Sequence, residues 1–209
     1  MRKMLKKLSI LAVLMVMLIL AACDEIDTGR VDVEAVWKSY LKESGETELY
    51  FLSGDYDGDG ATEAYGITGK GDSSGYANNV KIYFVSASGS VSCVKDKAYG
   101  NNNTALFGQL RNHETLTSNP ENVFLKCGNQ KFIIWEIDGG GSSSISVIFG
   151  VRNGVSYQPK VSGNYQWFHK ETTDTYIGTK SDWSNGYHEY IDYKFSFNAF
   201  TGEFEENKT

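Results

Sequence analysis

The stretch Asp55-Tyr56-Asp57-Gly58-Asp59-Gly60-Ala61-Thr62-Glu63 places carboxylates at alternate positions of a short, glycine-containing segment. Hard cations such as Ca²⁺ take six to eight oxygen ligands, which a tight loop supplies from alternate side chains and a backbone carbonyl. Gly60 permits the sharp turn, because a residue without Cβ adopts positive φ at little cost. The stretch therefore predicts a single structural Ca²⁺ site whose ligands are Asp55, Asp57, Asp59, the carbonyl group of Ala61, and Glu63.

The residues on both sides of this loop predict β-strands, Glu48–Leu52 before it and Glu63–Thr68 after it. An EF-hand instead has helices on both sides and a glutamate at position 12, where this chain has Gly66. The stretch resembles the calcium loops of FG-GAP and VCBS-type repeats, in which D-x-D-x-D-G-x-x-(D/E) joins two strands. The resemblance covers only the loop and implies that the side-chain ligands are Asp55, Asp57, Asp59 and Glu63. The alternative is an acidic Asp-Gly hairpin turn without a metal.

From Glu46 onward, apolar and polar residues alternate between turns rich in glycine and asparagine, which predicts antiparallel strands. We identify three degenerate repeats of four strands each, which begin near Leu49, Val123 and Tyr165. Each repeat is two hairpins, the shape of a propeller blade or of a meander in a curved sheet. A closed propeller uses about four or more blades. The predicted fold is therefore mainly β, an open or partly propeller-like antiparallel meander.

One amphipathic helix is predicted before the strands. Asp32 is its predicted N-cap and Gly45 its end. The helical spacing puts one apolar stripe on a single face, which we expect to pack on a sheet: Val33, Val36, Trp37, Tyr40 and Leu41. A second, short helix is predicted over 104–111.

The N-terminus has the pattern of a secretory signal, with basic residues between positions 2 and 7 and an apolar run over 8–20. The sequence Leu20-Ala21-Ala22-Cys23 follows and resembles a bacterial lipobox. The resemblance implies that residues 1–22 are a lipoprotein signal peptide and that lipid on Cys23 anchors the chain at the extracytoplasmic face of the cell membrane. An ordinary secretory signal cut near Ala22 is the alternative. Residues 23–30 are then a polar tether, and residues 31–209 a single β-rich domain.

Charge argues against two kinds of partner. The chain has 20 basic and 26 acidic residues, and residues 1–22 hold four of the basic ones and no acidic one. The mature chain therefore has 16 basic residues against 26 acidic ones, a net charge of −10. Nucleic acid and polybasic membrane contacts both require a basic surface. We predict no nucleic-acid partner, and a membrane contact made through the lipid.

Two cysteines remain after the predicted processing, Cys93 and Cys127. Outside the cytoplasm an even pair of cysteines can form a disulfide. Because Cys93 ends the first repeat and Cys127 begins the second, we predict that a disulfide staples these neighbouring units. Two buried thiols are the alternative, since cysteine is often a small core residue.

The sequence offers no catalytic constellation. Its three histidines lie in different segments, and no serine or cysteine has the context of a nucleophile elbow. Two acidic pairs, Glu171 with Asp174 and Glu189 with Asp192, would serve glycoside hydrolysis only at a suitable carboxylate spacing. We therefore predict that the chain is not an enzyme.

An aromatic group in or beside a polar loop of the third repeat is a candidate ligand surface for a glycan or a protein: Trp183, Tyr187 and Tyr190. Together with the loop and the lipobox, it predicts a lipid-anchored, Ca²⁺-binding β domain that serves binding at the cell envelope. The alternatives are an envelope enzyme acting on polysaccharide and an inhibitor or immunity-type lipoprotein.

Overall fold

The computed structural model describes residues 30–71, 76–96, 104–107, 124–138, 144–184 and 186–207. These residues form one helix and 13 strands: α1 Val33–Ser44, β1 Glu48–Gly54, β2 Glu63–Gly71, β3 Tyr76–Val85, β4 Val91–Lys95, β5 Thr104–Phe107, β6 Phe124–Cys127, β7 Gln130–Asp138, β8 Ile145–Arg152, β9 Val155–Tyr157, β10 Gln166–Lys170, β11 Tyr176–Asp182, β12 Glu189–Asn198 and β13 Glu203–Glu206. Within the described ranges, no helix has the length and apolar character needed to cross a membrane.

The predicted fold class, mainly β and antiparallel with one N-terminal helix, is confirmed. Each predicted repeat is a meander of four strands, namely β1–β4, β6–β9 and β10–β13. The first two repeats belong to one nine-stranded sheet, whose main path runs from β1 to β9, and the third repeat is a separate four-stranded sheet.

The strand β5 corrects the prediction of a short helix over 104–111. Thr104–Phe107 pairs antiparallel with β3 on one side and with β7 on the other. These hydrogen bonds on both edges outweigh a weak local preference for helix, because strand formation depends mainly on the neighbours that a segment finds. Through β5 the first repeat is joined to the second. Residues 108–111 lie outside the described part of the chain.

Helix α1 forms as its sequence predicts. The Asp32 carboxylate accepts hydrogen bonds from the backbone N–H groups of Glu34 and Ala35, and Gly45 ends the helix with φ of 71°. Trp37 is fully buried in a cluster with Val33, Ala64, Tyr83 and Val85, so the helix packs on strands of the first repeat.

The hairpin β7–β8 is the centre of the molecule, because both of its faces are buried. One face of β7 places Ile133, Trp135 and Ile137 in a core shared with β2 and β3. The other face places Phe132 and Ile134 in a second core, shared with the third repeat. The near-continuous apolar runs of β7 and β8 are typical of strands that are covered on both sides.

The predicted disulfide between Cys93 and Cys127 is absent, and both thiols are free. Cys93 is exposed on β4, which pairs with β3. Cys127 is buried on β6, which pairs with β7, and it packs in the core shared with the third repeat. A disulfide requires the two Cβ atoms to lie about 3.8 Å apart, and here one thiol is exposed at the surface while the other is enclosed in the core. Burial raises the pKa of the Cys127 thiol to about 12.

Candidate metal centre

The predicted cation loop is the connection between β1 and β2, and its second residue fixes it to the protein. Tyr56 is fully buried, and its hydroxyl donates a hydrogen bond of 2.7 Å to the carbonyl oxygen of Leu52. Its ring packs edge-on against Tyr65 at a centroid distance of 5.1 Å. The Tyr56 carbonyl oxygen accepts a hydrogen bond of 2.9 Å from the backbone N–H of Lys131. The loop of the first repeat is therefore held against β7 of the second.

Three carboxylates of the loop meet in one cluster. Each of Asp55, Asp57 and Glu63 contributes an oxygen atom, and the three oxygens lie within 4.8 Å of one another. Glu63 is fully buried at the start of β2, where its Oε2 accepts a hydrogen bond of 3.2 Å from the Tyr56 N–H. Among the described residues, Glu63 Oε1 and Asp57 Oδ1 are buried without a hydrogen-bond partner. A buried polar atom without a partner is costly, and a cation would remove this cost.

Asp55 and Asp59 also bind the loop's own backbone. The two oxygens of Asp55 accept hydrogen bonds from the N–H groups of Gly58 at 2.7 Å and Gly60 at 3.0 Å. Asp59 Oδ1 accepts one from the Ala61 N–H at 2.7 Å, and Asp59 is exposed. Asp59 therefore lies outside the carboxylate cluster, and the described contacts of Ala61 involve its N–H and not its carbonyl group.

Two residues of the second repeat, Gly154 and Asn129, contact the acidic loop, although the sequence did not predict them as part of the metal site. The Gly154 N–H, in the turn between β8 and β9, donates a hydrogen bond of 3.1 Å to Asp57 Oδ2. Gly58 approaches Asn129 so closely that a Cβ atom at position 58 would lie 3.1 Å from the Asn129 Cβ. The Asn153-Gly154 pair signals a turn in the sequence. Nothing in the local pattern indicates that this turn faces the acidic loop.

The electrostatics of the cluster favour a positive charge. The pKa of Glu63 is raised to about 7, mainly by burial; the Tyr56 N–H opposes this shift, and the charges of Asp57, Asp59 and Asp55 contribute to it. Near neutral pH, part of the metal-free protein therefore carries a proton on Glu63. A divalent cation would displace this proton and neutralise the remaining carboxylates.

Comparison of the chain with models of protein families, with curated proteins and with solved structures finds no match. Of the other predicted site residues, Trp183, Tyr187 and Tyr190 are exposed. Cys23 lies outside the described residues.

The raised pKa of Glu63 makes the stability of the metal-free protein depend on pH. Without a cation, the Glu63 pKa is about 7 in the folded protein and about 4.3 in the unfolded chain. A raised carboxyl pKa means that folding favours the protonated form. The contribution of Glu63 to stability is therefore fully present below about pH 4.3 and is lost as the pH rises through 7. In EDTA, we expect wild type to lose about 1–2 kcal/mol of unfolding free energy relative to Glu63→Gln between pH 5 and pH 8.

Urea unfolding of both proteins at several pH values measures this difference, and the comparison with Glu63→Gln cancels the titration of all other groups. Equal pH dependence of the two proteins would show that Glu63 titrates normally in the folded state.

Proposed function

We propose that this chain is a lipid-anchored, extracytoplasmic β domain that holds one Ca²⁺ in the loop between β1 and β2 and serves binding at the cell envelope. The observation that carries the metal site is the Glu63 carboxylate, which is fully buried beside Asp55 and Asp57 with one oxygen unpartnered among the described residues. A simple acidic turn gives no reason to bury a carboxylate, whereas a bound cation would compensate its burial.

The donor set selects the type of cation. All three clustered ligands are carboxylates, and hard cations such as Ca²⁺ prefer oxygen ligands. Asp55, Asp57 and Glu63 would bind the ion directly, and water or backbone carbonyls would complete its coordination. We expect weak binding, with Kd on the order of 10⁻⁴ M, as in extracellular modules.

The ion would act as a structural link between repeats. Asp57 uses Oδ2 to bind the Gly154 N–H of the second repeat, and its other oxygen is buried without a described partner. A cation on the cluster would therefore connect β1 and β2 to the turn between β8 and β9 through one side chain. This arrangement would stiffen the contact between the first two repeats.

The membrane address rests on the sequence. The basic and apolar segments followed by Leu20-Ala21-Ala22-Cys23 support export and attachment through lipid on Cys23. The acidic mature chain supports a partner other than nucleic acid.

The position of one predicted acidic pair, Glu189 with Asp192, supports binding of a protein or glycan over catalysis. On β12, Glu189 is opposite Asp182 and Asp192 is opposite Thr179 on the neighbouring strand. Residues three positions apart on a strand point to opposite faces. Glu189 and Asp192 therefore do not face one bond from two sides, as glycoside hydrolysis requires.

Thermal unfolding of the mature chain, residues 23–209 with Cys23→Ser, tests the metal site in EDTA and in 10 mM Ca²⁺. At about 100 times the expected Kd, bound Ca²⁺ adds about 2.7 kcal/mol. For a chain of this size, that free energy raises Tm by roughly 5–10 °C. We expect Asp57→Asn and Glu63→Gln to abolish the rise.

Asp59→Asn is the matched control, because it removes the same charge from the same loop at a residue outside the cluster. We expect this variant to keep most of the rise in Tm. If Ca²⁺ leaves the Tm of wild type unchanged, or if the rise survives in both cluster variants, the proposed site is excluded.

A further inference from the structure

Four rings form a continuous aromatic row on the third repeat. The row consists of Trp183, His188, Tyr190 and Trp167, in this order, with centroid distances of 4.3, 4.4 and 4.9 Å between neighbours. Trp183 and His188 are stacked in parallel, with an angle of 3° between their planes. The sequence prediction did not include His188 and Trp167. His188 connects Trp183 to Tyr190, and Trp167 extends the row beyond Tyr190.

One end of the row is open to solvent. Trp183 is 62% exposed and Tyr190 47% exposed, and the neighbouring Tyr187 is 57% exposed. The imidazole of His188 covers one face of the Trp183 indole. The exposed surface of Trp183 is therefore the other face of the indole and its edges. Contiguous exposed aromatic surface is unfavourable in water, and it is a feature of interaction and ligand-binding sites on folded domains.

The rings are held in place without a ligand. His188 Nε2 is 2.8 Å from the Ser181 hydroxyl, and Ser181 is directly opposite Tyr190 in the pairing of β11 with β12. Trp167, at the buried end of the row, has the left-handed backbone conformation, with φ of 49°. Its backbone N–H donates a hydrogen bond of 3.2 Å to Oε1 of the buried Glu136. A bulky residue adopts this conformation only when the surrounding structure enforces it. The surrounding structure therefore holds His188 and Trp167 in place, and fixed contact groups lower the entropic cost of binding.

A negatively charged hydrogen-bond acceptor lies on the same sheet face as Tyr190. Asp192 is exposed on that face, two positions along β12, and its Oδ1 accepts a hydrogen bond of 2.6 Å from the Thr179 hydroxyl. A carboxylate beside the rings repels anionic ligands and accepts hydrogen bonds from hydroxyl groups.

We propose that the aromatic row binds a neutral saccharide chain. A pyranose ring presents an apolar C–H face that can stack on the open face of Trp183, and its hydroxyl groups can donate to carboxylates such as Asp192. Ligand sites combine such aromatic contact with a few placed polar groups. A protein partner would need about 800 Å² on each side, which is a much larger surface than these three exposed rings. This inference rests on the proposed role in binding and names its ligand class, but it uses no residue of the metal site.

Native affinity electrophoresis of the mature chain tests the proposal in gels that contain β-glucan, galactomannan, mannan or soluble starch. Polygalacturonate, a polysaccharide that carries many negative charges, serves as the anionic control. We expect at least one neutral polysaccharide to retard the wild-type protein and polygalacturonate not to. Trp183→Ala and Tyr190→Ala should each weaken the retardation about tenfold or more, since central aromatic residues dominate such contacts.

Phe200→Ala is the matched control, because Phe200 is 88% exposed in the turn between β12 and β13 and does not belong to the row. This variant should migrate as wild type does. The proposal is overturned if no neutral polysaccharide retards wild type, if only polygalacturonate does, or if Phe200→Ala and Trp183→Ala have equal effects. The Ca²⁺-dependent rise in Tm, measured on the same preparations, distinguishes failure of the saccharide site from failure of the metal site.

Discussion

We expect Trp37→Ala to lower the free energy of unfolding by about 3–5 kcal/mol, the range for removal of a large buried aromatic side chain. Trp37 is fully buried, and its ring stacks with Tyr40 at 5.5 Å and with Phe51 at 6.3 Å. Its Nε1 donates a hydrogen bond of 2.5 Å to Glu48 Oε2. The substitution therefore creates a cavity between α1 and the first repeat and leaves the Glu48 carboxylate without this donor.

Urea unfolding measures the effect, and Trp183→Ala is the matched control because it removes the same side chain from an exposed position. We expect the control to change stability by less than about 1 kcal/mol. A loss at Trp37 no larger than that of the control would mean that α1 does not contribute to the folded core.

Gly66 provides a second test of the same contact. A Cβ atom at Gly66 would overlap the Trp37 indole, so Gly66→Ala alone should cost about 1–3 kcal/mol through overpacking. In the Trp37→Ala background the indole is gone, and we expect the added methyl group to cost much less. Additive effects of the two substitutions would contradict direct packing of Gly66 on Trp37.

Glu136→Ala is the second substitution for which we expect a large effect, a loss of about 2–4 kcal/mol. Glu136 is buried on β7, where its Oε2 accepts a hydrogen bond of 2.5 Å from the Ser146 hydroxyl and its Oε1 accepts one from the backbone N–H of Trp167. The Ser146 hydroxyl in turn accepts a hydrogen bond of 2.8 Å from the backbone N–H of Phe168. Removal of the carboxyl group takes a partner from two buried donors, each of which costs about 1–3 kcal/mol when left unpaired.

Because these hydrogen bonds connect β7 and β8 to β10, the loss should also disturb the aromatic row. We expect Glu136→Ala to change the near-ultraviolet circular dichroism of the folded protein in addition to its urea midpoint. Glu205→Ala, which removes an exposed carboxylate bonded to the Asn198 side chain, should change neither by a measurable amount. An unchanged urea midpoint in Glu136→Ala would show that the buried carboxyl group does not hold the third repeat to the second.

The elements that the sequence predicted well are those whose cause is local. Helix α1 has its N-cap, its apolar stripe and its terminal glycine within 14 consecutive residues, Asp32 to Gly45. The strands alternate apolar and polar residues, or are apolar throughout when both faces are covered, and glycine or asparagine marks the turns between them. The acidic loop is equally local, because its carboxylates and its glycines occur within nine residues.

The features that the sequence missed depend on partners distant along the chain. Strand β5 is a strand because β3 and β7 offer it two edges. Cys93 and Cys127 stay unpaired because the fold leaves Cys93 exposed on β4 and buries Cys127 in the core shared with the third repeat. Gly154 supports Asp57 from 97 positions away, and no spacing rule reaches that far. The aromatic row depends on His188 and on the unusual backbone of Trp167, which the sheet imposes.

The sequence by itself thus determined the class of the fold, its three repeats and the position of the acidic loop, since short-range periodicity and turn chemistry specify each of them. Only the tertiary structure decided which carboxylates meet. It buries Glu63 beside Asp55 and Asp57 and leaves Asp59 exposed on the loop's own backbone. Burial is set by what packs over a residue, and here the turns of the second repeat cover one side of a loop whose acidic residues look equivalent in the sequence.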